Sequence, residues 1–148
     1  MKILITGVAG FIGSNLAEYL ISKDFQVVGI DNLSYGVAEQ IPEGVKFHNV
    51  DIRDKSIFNL FEGIDYVFHL AAKNSIIDCE NDPSETHDIN VNGTRNIFEA
   101  SSFHQIKKVI YAESSAVYEG SENLPTTESD VSPQSVYAKS KMETHFIA

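Results

Sequence analysis

Residues 2–13, KILITGVAGFIG, decide the fold, because a short apolar run leads directly into a glycine-rich segment. Thr6 and Gly7 break the apolar stretch, and only one basic residue precedes it, which favours a buried first strand over a secretory leader. Gly7, Gly10 and Gly13 follow at the start of a helix predicted over residues 11–22. Backbone N–H groups and the helix dipole could there face a pyrophosphate.

The spacing of these glycines is Gly-x-x-Gly-x-x-Gly, which differs from the common Gly-x-Gly-x-x-Gly fingerprint. A simple tight turn is therefore an alternative, since turns use glycine freely. Asp31 ends the next predicted strand 18 residues after Gly13, close to the spacing of about 20 at which an acid accepts hydrogen bonds from adenosine ribose hydroxyls. Asp31 and Asn32 also suit a turn. Together with the glycines, Asp31 favours NAD over NADP, because a carboxylate would repel a 2′-phosphate.

Short strand-like runs alternate with helical segments along the chain, which is typical of βαβ units around a parallel sheet. The strands are predicted at 2–6, 26–30, 45–50, 65–72 and 107–113, and the later helices at 54–61 and 83–103. The fold class is therefore a doubly wound parallel α/β sheet, the Rossmann fold, with five strands in the order 3-2-1-4-5. Residues 119–135 suit either an ordered surface loop or a flexible linker.

Composition and charge exclude several other classes of protein. The 148 residues fit one domain, and no apolar run reaches the roughly 18 residues that could span a bilayer. The net charge of −10 opposes binding to nucleic acid or to anionic membranes. The single cysteine, Cys79, has no disulfide or metal-ligand partner at a recognisable spacing, so we expect no metal site and a cytoplasmic protein.

Tyr137 and Lys141 are four residues apart and share one face of a predicted helix. A phenol is a weak base at neutral pH, and a fixed ammonium beside it favours the phenolate. A Tyr/Lys pair at this spacing is more often an ordinary solvated helix face.

The chain resembles the extended short-chain dehydrogenase/reductases, specifically the NAD-dependent epimerase/dehydratase family typified by UDP-glucose 4-epimerase. The resemblance covers the whole chain, and its motifs are highly specific in this order. They are residues 6–13, 31–32, 51–54, 69–72, 90–94, 114–118 and 137–141.

The resemblance implies a role for each matching residue. Ser114 would hydrogen-bond the sugar hydroxyl, Tyr137 would be the base, and Lys141 would support the phenolate and hold the nicotinamide ribose. Asp51 and Ile52 would contact the adenine, the 70–72 segment would line the cofactor channel, and Asn90 would lie near the active site. The implied NAD-binding residues are Gly7, Gly10, Phe11, Ile12, Gly13, Asp31, Asn32, Asp51, Ile52, Leu70, Ala71, Ala72, Asn90, Tyr137 and Lys141.

Three residues depart from the family pattern: Glu113 and Glu119 stand where small residues are usual, and Lys73 where a neutral residue is usual. Family members also have roughly twice the length, so we expect the substrate domain to be absent from this chain and the chain alone to have little turnover.

The implied activity is epimerisation of a nucleotide sugar, most simply a UDP-sugar, through a transient 4-keto sugar. Dehydration is the weaker alternative, because Ser115 and Ala116 occupy the positions of the dehydratases' acid/base pair. A NAD-binding module without turnover is the rival from another class. A homodimer is compatible with either interpretation.

Overall fold

In the computed structural model, which describes residues 1–147, five parallel strands form one sheet. The strands are β1 (Lys2–Thr6), β2 (Gln26–Asp31), β3 (Lys46–Asn49), β4 (Tyr66–His69) and β5 (Lys108–Tyr111). Their order is β3-β2-β1-β4-β5, so β1 pairs with β2 on one side and β4 on the other. The predicted fold class and strand order are confirmed. The order reverses at β1, and the carboxyl ends of its neighbours meet there.

Within residues 1–147, five α-helices and several tighter turns connect and follow the strands. The helices are α1 (Phe11–Ile21), α2 (Ile76–Asn81), α3 (Pro83–His87), α4 (Thr94–Phe103) and α5 (Val136–His145). The 3₁₀-helical segments are Ala38–Gln40, Lys55–Phe61 and Ser115–Tyr118, and Asp88–Gly93 is a π-helical turn.

The helix predicted over 83–103 is wrong as one continuous element. It is divided into α3, the π-helical turn and α4. Helix α2 was not predicted, because six residues are too few for an amphipathic period to show. Asp82 and Pro83 nevertheless indicate in the sequence where α2 ends and α3 begins. The Asp82 side chain accepts a hydrogen bond from the Glu85 N–H at 2.9 Å, and Pro83 occupies the first turn.

The described residues divide into two compact units. The first comprises Met1–Ala72 and Asn96–Ala112 and contains the whole sheet. Its core includes a cluster of buried aliphatic side chains from β1, the glycine loop, α1 and β2, namely Ile3, Ile5, Val8, Ala17, Leu20 and Val27. Burial of this apolar area is the main force that holds α1 against the sheet.

The second unit comprises Lys73–Arg95 and the described residues from Glu113 onward. It contains α2, α3 and α5, with Cys79, Thr86, Ala138 and Thr144 fully buried. The buried Thr86 hydroxyl donates to the Asp82 carbonyl at 2.8 Å, which satisfies its polar group.

The 119–135 segment contains no helix or strand but is held by hydrogen bonds within the second unit. The Gly120 N–H donates to the Ser132 carbonyl at 3.0 Å, and the Ser132 N–H donates to the Val117 carbonyl at 2.8 Å. The Asp130 carboxylate accepts from the Thr127 N–H at 2.7 Å. These contacts favour the ordered loop over the flexible linker.

Among residues 1–147, none of the helices combines the length and the hydropathy that a bilayer crossing requires. In the same residues, no group of three or more His, Cys, Asp or Glu side chains is arranged to hold a metal ion.

Candidate active site

The glycine loop runs from the end of β1 to the start of α1. Gly7 adopts a φ of +74°, and a Cβ there would lie 2.9 Å from the Ala71 nitrogen, so only glycine fits without strain. A Cβ on Gly13 would lie 2.9 Å from the Cα of Val8 and would collide with the Gly7 carbonyl. Two of the three glycines are thus required by the backbone. Gly7 lies against the segment that follows β4, and Gly13 lies against the loop itself.

The amino end of α1 presents backbone donors that no side chain caps. Gly10 is the N-cap residue and makes no side-chain hydrogen bond, and the first intrahelical bond runs from the Ser14 N–H to the Gly10 carbonyl at 2.9 Å. The N–H groups of Phe11, Ile12 and Gly13 precede that bond, and helix geometry leaves them without an intrahelical acceptor. Such donors, with the helix dipole, fit a dinucleotide phosphate.

Asp31 lies at the carboxyl end of β2 and binds the glycine loop. One carboxylate oxygen accepts from the Ala9 N–H at 3.0 Å, and the other accepts from the Leu33 N–H at 2.8 Å. The carboxylate therefore fixes the loop and retains acceptor capacity for a further donor such as a ribose hydroxyl. Gly36 is also close, since a Cβ there would lie 3.0 Å from the same Asp31 oxygen that Leu33 contacts.

Asp51 forms a cluster with Arg53 and Asn32. The Arg53 guanidinium donates to both carboxylate oxygens at 2.9 and 2.8 Å, and the Asn32 amide donates to one of them at 2.8 Å. These hydrogen bonds, with that from Arg53 largest, lower the pKa of Asp51 to about 2. With the Arg53 N–H as a fourth donor at 2.8 Å, the carboxylate has little capacity left for an adenine amino group.

Ile52, the other residue expected at the adenine, has a buried side chain. Its carbonyl accepts from the Asn96 amide at 3.1 Å, and the same amide donates to the Arg53 carbonyl at 2.9 Å. Asn96 thereby fixes the backbone that follows β3. The adenine contacts of Asp51 and Ile52 remain predictions.

The segment after β4 is held against β1 by a buried threonine. The Thr6 hydroxyl oxygen accepts from the N–H groups of Leu70 and Ala71 at 3.2 and 3.1 Å. Its own hydrogen is then left to donate to the His69 Nδ1, which lies at 2.7 Å. This network places Leu70 and Ala71 beside Gly7, and Ala72 ends the same segment, where the sequence predicted the cofactor channel.

Ser114 begins the 3₁₀-helical segment Ser115–Tyr118 in the second unit. Its hydroxyl accepts from the Ala116 N–H at 3.2 Å and still has its own hydrogen to donate. The neighbouring Glu113 carboxylate accepts from the Ser114 N–H at 3.1 Å. Glu113 therefore contributes to the local backbone structure at Ser114.

Tyr137 and Lys141 both lie on α5, as predicted. Lys141 is 7% exposed, whereas Lys139 on the same helix is exposed. Burial lowers the pKa of Lys141, and the Glu113 carboxylate acts in the opposite direction. The burial of Lys141 therefore contradicts the alternative interpretation that this residue lies on an ordinary solvated helix face.

Asn90 is buried in the π-helical turn with its amide fully engaged. Its oxygen accepts from the Lys73 N–H at 2.8 Å, and its nitrogen donates to the Lys73 carbonyl at 3.0 Å and to the Ser140 hydroxyl at 2.9 Å. The Ser140 hydroxyl in turn donates to the Tyr137 carbonyl at 2.7 Å. The Asn90 side chain therefore supports the helix that carries Tyr137. That Asn90 lies near the cofactor stays a prediction.

Two features of this region were missed from the sequence. The Lys73 ammonium is buried and forms an ion pair with Glu85 at 2.5 Å. Glu80 accepts from the Val136 N–H at 2.7 Å, directly before Tyr137. Lys73 was visible as a departure from the family pattern, but no sequence signal joins it to Glu85, or Glu80 to a residue 56 positions later.

The reversal of strand order at β1, the glycine loop and the acid at the end of β2 define a dinucleotide-binding protein of the Rossmann type. A profile of the NAD dependent epimerase/dehydratase family matches residues 3–148. The chain belongs to this family. The cofactor predicted from Asp31 and the glycines is the one on which the family depends.

Individual relatives agree with this assignment. The chain is 38% identical over 143 residues to a putative UDP-glucose 4-epimerase of Methanocaldococcus jannaschii, covering 94% of this chain and 47% of the relative. It is similar to the crystal structure of a Thermotoga maritima UDP-glucose 4-epimerase with UDP-glucose, with a TM-score of 0.93, 32% identity and coverage of 100% of this chain and 51% of that one. A Thermus thermophilus UDP-glucose 4-epimerase in complex with NAD has a TM-score of 0.91, 33% identity and coverage of 99% and 50%. The chain spans about half the length of the curated relatives it matches.

Proposed function

We propose that this chain supplies the NAD-binding residues and the acid–base residues of a nucleotide-sugar epimerase that works through a transient 4-keto sugar. The observation that carries the proposal is the burial of Lys141 one helical turn after Tyr137 on α5. Burying an ammonium costs free energy, so a buried lysine beside a phenol is a candidate functional residue. An ammonium at this spacing from a phenol can sustain the phenolate that abstracts a proton.

Residues of the glycine loop and of the strand ends hold NAD in this proposal. The uncapped N–H groups at the start of α1 bind the pyrophosphate, and Asp31 accepts from the adenosine ribose. NAD, when bound, supplies the hydride acceptor and donor that oxidation of the sugar C4 to a ketone and its reduction require.

The protein side chains carry the proton. The Tyr137 phenolate takes the proton from the sugar 4-hydroxyl and returns it when the ketone is reduced. The Ser114 hydroxyl donates a hydrogen bond to the same sugar oxygen. Lys141 stabilises the phenolate. Burial lowers the pKa of Lys141, and the Glu113 carboxylate opposes that shift and so favours the charged ammonium. In this interpretation Glu113 supports the base indirectly, through Lys141.

The substrate class is a UDP-sugar, supported by the relatives that are UDP-glucose 4-epimerases and by the Thermotoga maritima structure with UDP-glucose. Dehydration remains the weaker candidate, because Ser115 and Ala116 offer no carboxylate pair after Ser114.

The test is interconversion of UDP-glucose and UDP-galactose by the protein encoded by the complete gene. Tyr137→Phe should abolish turnover while NAD affinity changes little, because only the phenolic oxygen is removed. Tyr19→Phe is the matched control, since Tyr19 is an exposed tyrosine on α1 and should be replaceable without loss. A complete protein that binds NAD but has no turnover, or whose turnover survives Tyr137→Phe, would support the non-catalytic module or another base.

A further inference from the structure

Three successive backbone N–H groups at the start of α5 are bound by two carboxylates within the second unit. Glu119 accepts from the N–H of Gln134 at 2.6 Å and from the N–H of Ser135 with the same oxygen. Glu80 accepts from the Val136 N–H at 2.7 Å. We call these two side chains the acidic clamp. The residue that follows the clamped backbone is Tyr137.

The clamp also completes the capping of the helix. The Ser135 side chain is the N-cap and accepts from the Ala138 N–H at 3.1 Å. Acidic groups near a helix amino end interact favourably with its dipole. Hydrogen bonds also lower the pKa of Glu119, with that from the Ser135 N–H largest, which keeps it ionised.

Glu119 links the two places from which the proposed catalytic side chains project. It directly follows the 3₁₀-helical segment that Ser114 begins, and its carboxylate holds the backbone two residues before Tyr137. Backbone bonds of Val117 and Gly120 to Ser132 close the base of the 119–135 loop beside it. The long loop that separates Ser114 from Tyr137 in sequence is thereby bypassed by a short, hydrogen-bonded connection.

From this geometry we infer that Glu119 is a positioning residue that fixes Tyr137 relative to Ser114. The inference rests on the proposed function of those two residues. Glu119 does not itself contact substrate or cofactor in this account. Its effect on catalysis arises because small displacements of a catalytic group lower the rate steeply.

The test compares Glu119→Ala with Glu119→Gln in the protein encoded by the complete gene. The alanine variant loses both contacts with backbone N–H groups, so kcat should fall about 10- to 100-fold. KM for the UDP-sugar and the NAD dissociation constant should change less than about twofold. In the glutamine variant the amide oxygen can accept from both N–H groups, so kcat should stay within about threefold of the original protein.

Two further measurements separate positioning from other roles. Glu122→Ala removes an exposed acid of the same loop and should leave kcat unchanged. If Glu119 acted through its charge, the alanine and glutamine variants would be slowed equally, and the acid limb of their pH profiles would shift together. Amide hydrogen exchange at Gln134 and Ser135, whose N–H groups donate to Glu119, should be faster in Glu119→Ala than in Glu119→Gln.

The outcomes distinguish this inference from the proposed function. Loss of turnover in Tyr137→Phe together with unchanged kcat in Glu119→Ala would overturn the inference alone. Equal loss in the alanine and glutamine variants would overturn it in favour of a charge effect. Turnover that survives Tyr137→Phe would overturn the proposed function, and the role of Glu119 in positioning that residue would fail with it.

Discussion

The Asn90 amide should be the most sensitive polar group of the second unit to truncation. Its side chain is 2% exposed and makes three hydrogen bonds, two to the Lys73 peptide groups and one to Ser140. Asn90→Ala leaves the Lys73 N–H, the Lys73 carbonyl and the Ser140 hydroxyl without their hydrogen bond to the amide. Each buried polar group that loses its partner costs about 1–3 kcal/mol. Because water entering the vacated space offsets part of this, we expect the free energy of unfolding to fall by about 2–4 kcal/mol.

Asn92→Ala is the matched control, because Asn92 lies in the same π-helical turn but is only partly buried. Its amide bonds the Asp88 side chain at 3.1 Å and accepts from Arg95 at 2.9 Å, which are local contacts along the helix surface. Its loss should cost about 0.5 kcal/mol. The free energies come from urea unfolding followed by circular dichroism, in which Asn90→Ala should lower the midpoint by about 1–2 M with an unchanged slope. Equal effects of the two substitutions would refute the role assigned to the Asn90 network.

Three other predictions concern the cofactor, the base and the acid sensitivity of the chain. Asp31→Ala should weaken NAD binding by about 1–3 kcal/mol in calorimetric titration, and the original chain should bind NAD much more tightly than NADP; comparable affinities would contradict the assignment. In the complete protein, Tyr137→Phe combined with Lys141→Met should be little slower than the worse single variant, because groups that act as one unit are not additive; rate losses that multiply would show independent roles. The pKa of Asp51 is lowered to about 2 from 3.8, so its ionised form stabilises the fold above about pH 4, and this contribution is lost as the pH falls towards 2. Arg53→Met should therefore lower the free energy of unfolding at pH 7 by about 1 kcal/mol, after allowance for partial exposure. The free energy of unfolding should also vary less with pH between pH 5 and 2 in this variant. An unchanged dependence on pH would argue against a stabilising role of this ion pair.

The strand order and the glycine loop could be predicted because their signals are local in sequence. Apolar runs on both faces indicate buried parallel strands, and the glycine spacing directly after the first run indicates the loop. The division of the 83–103 helix could not be predicted in the same way. The π-helical turn accompanies the inward placement of Asn90, whose partners Lys73 and Ser140 are 17 and 50 residues away.

In the candidate site too, local features could be predicted from the sequence, whereas contacts that depend on the fold could not. Motif spacing was enough to place Tyr137 and Lys141 on one helix, but only burial distinguishes Lys141 from an exposed lysine such as Lys139. Glu119 was recognisable as a departure from the family pattern. Its contacts with the start of α5 depend on the fold of the intervening loop, which composition does not specify.

The central claim is most directly tested by the fate of a deuterium label at C4 of UDP-glucose. We predict that the protein encoded by the complete gene converts UDP-[4-²H]glucose to UDP-galactose with the label retained at C4, because the hydride leaves and returns to the same carbon without exchange with water. Mass spectrometry and proton NMR of the product locate the label. Deuterium at C6 of a 4-keto-6-deoxy product would identify a dehydratase, and loss of deuterium to solvent would contradict the proposed mechanism.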